Sequence, residues 1–110
     1  MPGMGLRVEV RFESTAAGGR STPVNLAADY RTLASTGTHA SFDISREHFG
    51  ISLTEGPSSV LPGETATAVL APPVYPPAIE KLLAAGTFTI FEGQRVVAHG
   101  HVIGAVDAAV

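Results

Sequence analysis

The chain of 110 residues contains no cysteine. Disulfide staples, thiolate metal centres and cysteine nucleophiles are therefore excluded, and redox chemistry says nothing about its compartment. Aromatic residues are scarce, at 6%, so the core has to be built from small aliphatic side chains. Cations are few as well: a single lysine, Lys81, and scattered arginines leave a formal net charge of -3. There is no overall positive field to draw in a phosphate backbone, and any nucleic-acid site would have to be local. No apolar run approaches the ~20 residues that span a bilayer. Met1-Pro2-Gly3-Met4-Gly5 has no basic region followed by an apolar stretch, so a soluble cytoplasmic protein is expected. The phosphate-loop, dinucleotide and nucleophile-elbow signatures are absent.

What is present reads as strands. The hydrophobic fraction of 45% beside 15% charged residues suits an ordinary globular core, and the length suits a single domain over 1–110. Leu6 to Glu13 alternates without a break, Leu6, Val8, Val10 and Phe12 on one face and charges on the other. Ala16-Ala17-Gly18-Gly19 reads as a turn, and Arg20 to Val24 as an extended segment held to an edge by Pro23. Asn25 to His39 has poor periodicity, with Ser35 to Thr38 read as a surface loop. Ala40 to Ile44 and Phe49 to Leu53 each alternate, predicting two short strands. Pro62-Gly63 sets a turn before Thr65 to Leu70. Pro72-Pro73 and Pro76-Pro77 forbid pairing, and Ala78 to Ala85 reads as two helical turns with Ile79, Leu82 and Leu83 toward the sheet. The longest signal is Thr87 to Phe91, a Glu92-Gly93-Gln94 turn, and Arg95 to Ile103, an antiparallel hairpin. Six or seven strands without βαβ alternation predict a small antiparallel barrel or sandwich.

Few residues offer chemistry. His99 and His101 stand two apart on a strand, so both imidazoles share one face, and His39 or His48 on a neighbour would complete a three-nitrogen metal site. Against this, no acidic residue lies nearby in the sequence to orient them. Asp43, Arg46, Glu47 and His48 are charged neighbours of a solvated connection, and no cofactor is expected.

Three short motifs resemble the C-terminal barrel of elongation factor Tu. Phe88-Thr89-Ile90-Phe91-Glu92-Gly93-Gln94-Arg95-Val96-Val97-Ala98-His99-Gly100 is similar to the family's Phe-x-Ile-x-Glu-Gly-Gly-Arg-Thr-Val-Gly-x-Gly. Gly18-Gly19-Arg20-Ser21-Thr22-Pro23-Val24, followed by Tyr30-Arg31, resembles its Gly-Gly-Arg-x-Thr-Pro-Phe hairpin and Tyr-Arg, and Leu61-Pro62-Gly63-Glu64 its Met-Pro-Gly-Asp turn. They follow in order across Leu6 to Val106. The resemblance implies an all-β, six-stranded antiparallel barrel with one short helix, its core over about 6–106. It covers only that domain of the factor, so GTP hydrolysis is not implied. In the family this barrel helps hold the T-stem of transfer RNA, partly through an Arg-Glu-Gly hairpin tip; here the arginine is replaced by Phe91, which removes a phosphate contact.

Three functions follow as expectations. The first is a non-enzymatic module that binds a protein partner through its loops and the tip Phe91, Glu92, Gly93 and Gln94, Phe91 supplying an exposed apolar contact. The second is an RNA-binding accessory of translation with Arg20, Arg31 and Arg95 on phosphates. The third is a metal enzyme on His99 and His101.

Overall fold

The computed structural model describes residues 3–73, 75 and 77–108. Six strands close into an antiparallel barrel: β1 (Gly3–Phe12), β2 (Tyr30–Thr36), β3 (Phe49–Thr54), β4 (Thr65–Leu70), β5 (Thr87–Glu92) and β6 (Arg95–Ala108). Around the barrel the order is β1-β4-β3-β2-β5-β6, and β6 pairs back onto β1. The expected barrel is what the chain forms, with one helix, α1 (Pro77–Ala85).

Period-two alternation explains the wall. Leu6, Val8, Val10 and Phe12 of β1, Ile51 and Leu53 of β3, Ala66, Ala68 and Leu70 of β4, and Phe88 and Ile90 of β5 meet in one buried cluster. Alanine in β4 opposite branched residues in β1 fills a narrow interior with few aromatics. Helix α1 starts at a proline, where a missing N–H costs nothing. It ends at Gly86, which adopts φ 77° and donates its N–H to Leu82 O at 2.8 Å. Ala78, Ile79 and Leu82 are buried. Leu83, expected to face the sheet, is 42% exposed, because the nine-residue helix turns only one stripe inward.

Four expectations need correction. Arg20 to Val24 is no strand; only Val24 bridges, to Val60. The segment read as formless holds β2, and Ser35 and Thr36, placed in a surface loop, belong to that strand, Ser35 being 2% exposed. Ala40 to Ile44 is no strand either. It lies in the connection between β2 and β3, a loop over 37–48. Its sequence alternation is not carried into burial: Phe42 packs on Phe91, whereas both Asp43 and Ile44 face solvent. No helix is long and apolar enough to cross a membrane among the described residues.

Candidate functional site

The β5–β6 hairpin turns at Gly93 and Gln94, Gly93 taking φ 62°, a left-handed value that favours glycine in a two-residue turn. Phe91 was expected at this tip as an exposed apolar contact. It is fully buried instead. On β5, Phe88 and Ile90 join the interior cluster, so Thr89 and Phe91 take the opposite face, and the 37–48 loop folds over both. The Thr89 hydroxyl donates to Gly37 O at 2.8 Å and accepts from His39 N at 3.0 Å. The Phe42 ring meets Phe91 edge-on at 5.8 Å, His48 meets it at 5.1 Å, and Phe42 and His48 stack on each other at 4.7 Å. Phe91 is thus an anchor for the loop. Beyond it the loop is braced by Asp43, which accepts from Ser45 N at 2.9 Å and Ser45 Oγ at 2.7 Å, and by Arg46, whose guanidinium donates to Ser41 O at 3.0 Å. Hydrogen bonds from Ser45, the hydroxyl before the amide, hold the Asp43 carboxyl below its ordinary range. At the apex of this braced loop Ile44 is 86% exposed.

Glu92 does not stand free at the tip. It turns toward the barrel mouth, accepting from Tyr30 Oη at 2.5 Å and from the Arg20 guanidinium. Arg20 also donates to Thr22 O and Thr22 Oγ1 and lies over the Tyr30 ring, 5.9 Å from its centroid. Burial first, then the Glu92 carboxylate, push the Tyr30 phenol well above its usual range. Arg31 pairs with Asp29 at 2.6 Å. Of the three arginines proposed for phosphate, only Arg95 makes no ion pair among the described residues. Arg20 is held on Glu92, which is also the cross-strand neighbour of Arg95, and Arg31 is paired with Asp29 at an exposed site.

His99 and His101 do share a face, as their spacing required. Each finds the carboxylate that the local sequence lacked: His99 Nε2 lies 3.2 Å from Glu13 Oε1, and His101 Nδ1 lies 3.8 Å from Glu9 Oε1. The antiparallel register of β1 against β6, Glu9 opposite His101 and Arg11 opposite His99, brings these residues together from 86 and 92 positions apart in sequence. The third nitrogen does not arrive. His39 is turned onto Thr36 O at 2.7 Å and His48 into the Phe42–Phe91 stack. Among the described residues no group of three His, Asp or Glu side chains could hold a metal ion.

One polar cleft escaped the sequence reading. Glu13, His99, Arg95 and the Gly18 turn border a cleft of about 320 Å3. Glu13 and Gly18 follow β1 while Arg95 and His99 belong to β6, so only the barrel register brings them together.

The fold is a closed β-barrel whose hairpin end is packed against the 37–48 loop and tied to Tyr30 and Arg20. Compared with models of known protein families and with curated proteins, the chain matches none.

Proposed function

We propose that this barrel is a non-enzymatic binding module, similar to the C-terminal barrel of elongation factor Tu, and that it takes a protein partner at its hairpin end. The contact residues of this reading are Gly93 and Gln94 of the turn and Ile44 of the neighbouring loop. Phe91 and Glu92 serve beneath them, as the anchor of the loop and the clasp of the tip. The observation that carries the reading is the apex of the 37–48 loop: an isoleucine at 86% exposure on a segment already fixed by hydrogen bonds and aromatic packing. A single exposed apolar residue is ordinary on a protein surface. One held in a pre-ordered loop binds with little further loss of conformational freedom. A protein surface is favoured over RNA because Arg20 and Arg31 are already paired and the net charge is -3.

The test is a tagged pull-down from the source cell's lysate, with and without ribonuclease, comparing the wild type with Ile44→Asp and with Leu61→Asp, an exposed apolar residue of another loop. A defined protein that survives nuclease, is kept by Leu61→Asp and is lost with Ile44→Asp supports the reading. Capture of one RNA species that vanishes with nuclease and weakens steeply with salt moves the function to RNA.

A further inference from the structure

Where the chain leaves β4 for α1, it borders a cleft of about 620 Å3 on the outer wall of the barrel, lined by neither Ile44 nor the hairpin turn. The ladder explains the cleft. β3 pairs with β4 at Leu53 with Leu70 and at Thr54 with Val69, and Ala71 N then donates to Ser52 O at 2.8 Å. Continued two residues further, that register would set Pro73 opposite Gly50, and proline has no N–H to donate. The pairing ends there. In an antiparallel ladder the N–H and C=O of one residue point the same way, and the direction alternates along the strand. Gly50, two residues from Ser52, therefore turns both groups toward the side that β4 has left, and it lines the cleft.

No side chain covers that spot. Gly50 is exposed, its φ is not left-handed, and the register of β3 with β2 runs unbroken from Leu53 to Phe49. A β-carbon on it would meet no atom within 4 Å. Neither a turn, a bulge nor crowding asks for glycine here, and glycine weakens a strand; what the missing side chain keeps is the open floor of the cleft. Beside it, Arg31 of β2 stands opposite Ser52. Asp29 accepts from Arg31 Nε at 2.6 Å and from the Ser52 hydroxyl. The guanidinium is thus aimed by its inner nitrogen, and among the described residues its two terminal nitrogens have no partner. The other wall is apolar: Ala71, Pro72 and Pro73, with Tyr75 at 43% exposure.

We propose that this cleft binds a small carboxylic acid that also carries an amide and an apolar side group, the chemistry of an N-acylated apolar amino acid. Each part of the ligand answers one part of the cleft. The terminal nitrogens of Arg31 present a planar fork to the carboxylate. The N–H and C=O of Gly50 offer a donor and an acceptor, which an amide answers in both directions. Gly50 and Ser52, the residue opposite Arg31, stand about 7 Å apart at ~3.4 Å per residue, so one amino-acid unit reaches both. Tyr75 and the prolines take the apolar group. The volume falls within the range of small-molecule sites. The Arg31–Asp29 pair is neutral in itself, which suits one added negative charge and not the run of charges along a nucleic acid.

Nuclear magnetic resonance titration of the full chain with N-acetyl-leucine tests this, beside N-acetyl-leucinamide, which keeps the amide and the side group and lacks the charge. The expected result is saturable shifts at the backbone amides of Gly50 to Ser52 and at Arg31 Nε–H, with a millimolar dissociation constant. The uncharged amide should bind about tenfold more weakly. Gly50→Val should abolish the shifts while leaving the circular dichroism unchanged and the thermal midpoint equal or higher, since its β-carbon enters open space and valine suits a strand. Arg31→Gln should bring the acid down to the level of the amide, and at a side chain 81% exposed it reads the site even if Gly50→Val fails to fold. No saturable shift at 50–52 up to tens of millimolar acid overturns the proposal. So does equal binding of acid and amide, and so does binding that a folded Gly50→Val retains.

Discussion

The carboxylate of Glu92 accepts hydrogen bonds from both Tyr30 Oη and the Arg20 guanidinium, partners 62 and 72 residues away in the sequence. One side chain therefore ties the end of β5 to the start of β2 and to the segment that follows β1. Side chains of Arg20 and Glu92 are 23% and 32% exposed, so the pair is only partly screened and the ring of Tyr30 shields one side of it. Tyr30→Phe removes one bond and leaves the ion pair. Its expected cost is about 1 kcal/mol. Glu92→Ala leaves both donors without an acceptor and should cost about 2 kcal/mol or more. Urea denaturation of the two variants and the double variant isolates the Tyr30–Glu92 bond: the double variant should cost little more than Glu92→Ala alone, and one that costs the plain sum would show that the Tyr30 hydroxyl and the Glu92 carboxylate do not interact.

The raised Tyr30 phenol gives this cluster a pH signature. Its folded-state pKa lies above the unfolded value, from burial first and the Glu92 carboxylate second. The native state therefore holds the proton more tightly. The associated stability is fully present below about pH 10, the unfolded value, and is lost as pH rises from there toward the folded value. Thermal midpoints measured from pH 8 to 11 should fall at the alkaline end in the wild type and fall less in Tyr30→Phe.

Phe91 makes the opposite prediction to the one its position in the sequence invites. As a displayed contact it could be cut to alanine without harm to the fold. As a ring buried beneath Phe42 and His48, Phe91→Ala should cost about 3–5 kcal/mol. Ile44→Asp, at a site 86% exposed, should stay within about 0.5 kcal/mol of the wild type. Chemical denaturation of both variants decides between the two roles, and it also shows whether a lost interaction in Phe91→Ala reflects binding or unfolding.

Much of the barrel was legible because its strands obey period two. Leu6 to Phe12 and Phe49 to Leu53 place alternate residues in the core as their pattern requires. The hairpin turn at Gly93 and the turn at Gly63 use the left-handed glycines their sequences call for. β2 was not legible, because its outer face is partly covered: Ser35, a polar residue, is buried under neighbouring chain, and Leu33 sits 39% exposed on the same face, so polarity and burial no longer coincide. Phe91 carried a signal that was there to be read. Phe88-Thr89-Ile90-Phe91 departs from polar alternation, as strands covered on both faces do. The clasp on Glu92 and the carboxylates beside His99 and His101 come from residues distant in sequence, and no local pattern announces them.

Asp43 predicts how the loop responds to acid. Its folded-state pKa is depressed by the Ser45 hydroxyl and amide. The stability it lends the turn is present above the usual carboxylate range and is lost as pH falls through the folded value. The Ser45 amide, which donates to Asp43 Oδ1 at 2.9 Å, should lose protection and shift its nuclear magnetic resonance as pH falls below the usual carboxylate range. Asp43→Ala should show the unprotected amide already at neutral pH. A Ser45 amide indifferent to both changes would mean that this turn does not hold the loop and that Phe42 and His48 hold it alone.

Gly100 offers the most direct check on the packing of the hairpin against the core. It lies on β6 opposite Phe88 of β5 and Val10 of β1, and the Phe88 ring occupies the space where a β-carbon would project. Phe88 is fully buried in the main cluster and has nowhere to retreat. Gly100→Ala should therefore overpack the barrel, at about 1–3 kcal/mol or more. Phe88→Leu alone should cost through lost volume, since the cluster relaxes only in part around a smaller side chain. Combined, the two changes relieve each other, because leucine vacates part of the space that the new methyl enters. A double variant more stable than the sum of the single costs, read by urea denaturation, is the expected sign of that coupling. If the costs simply add, the glycine is required for some reason other than the ring stacked upon it.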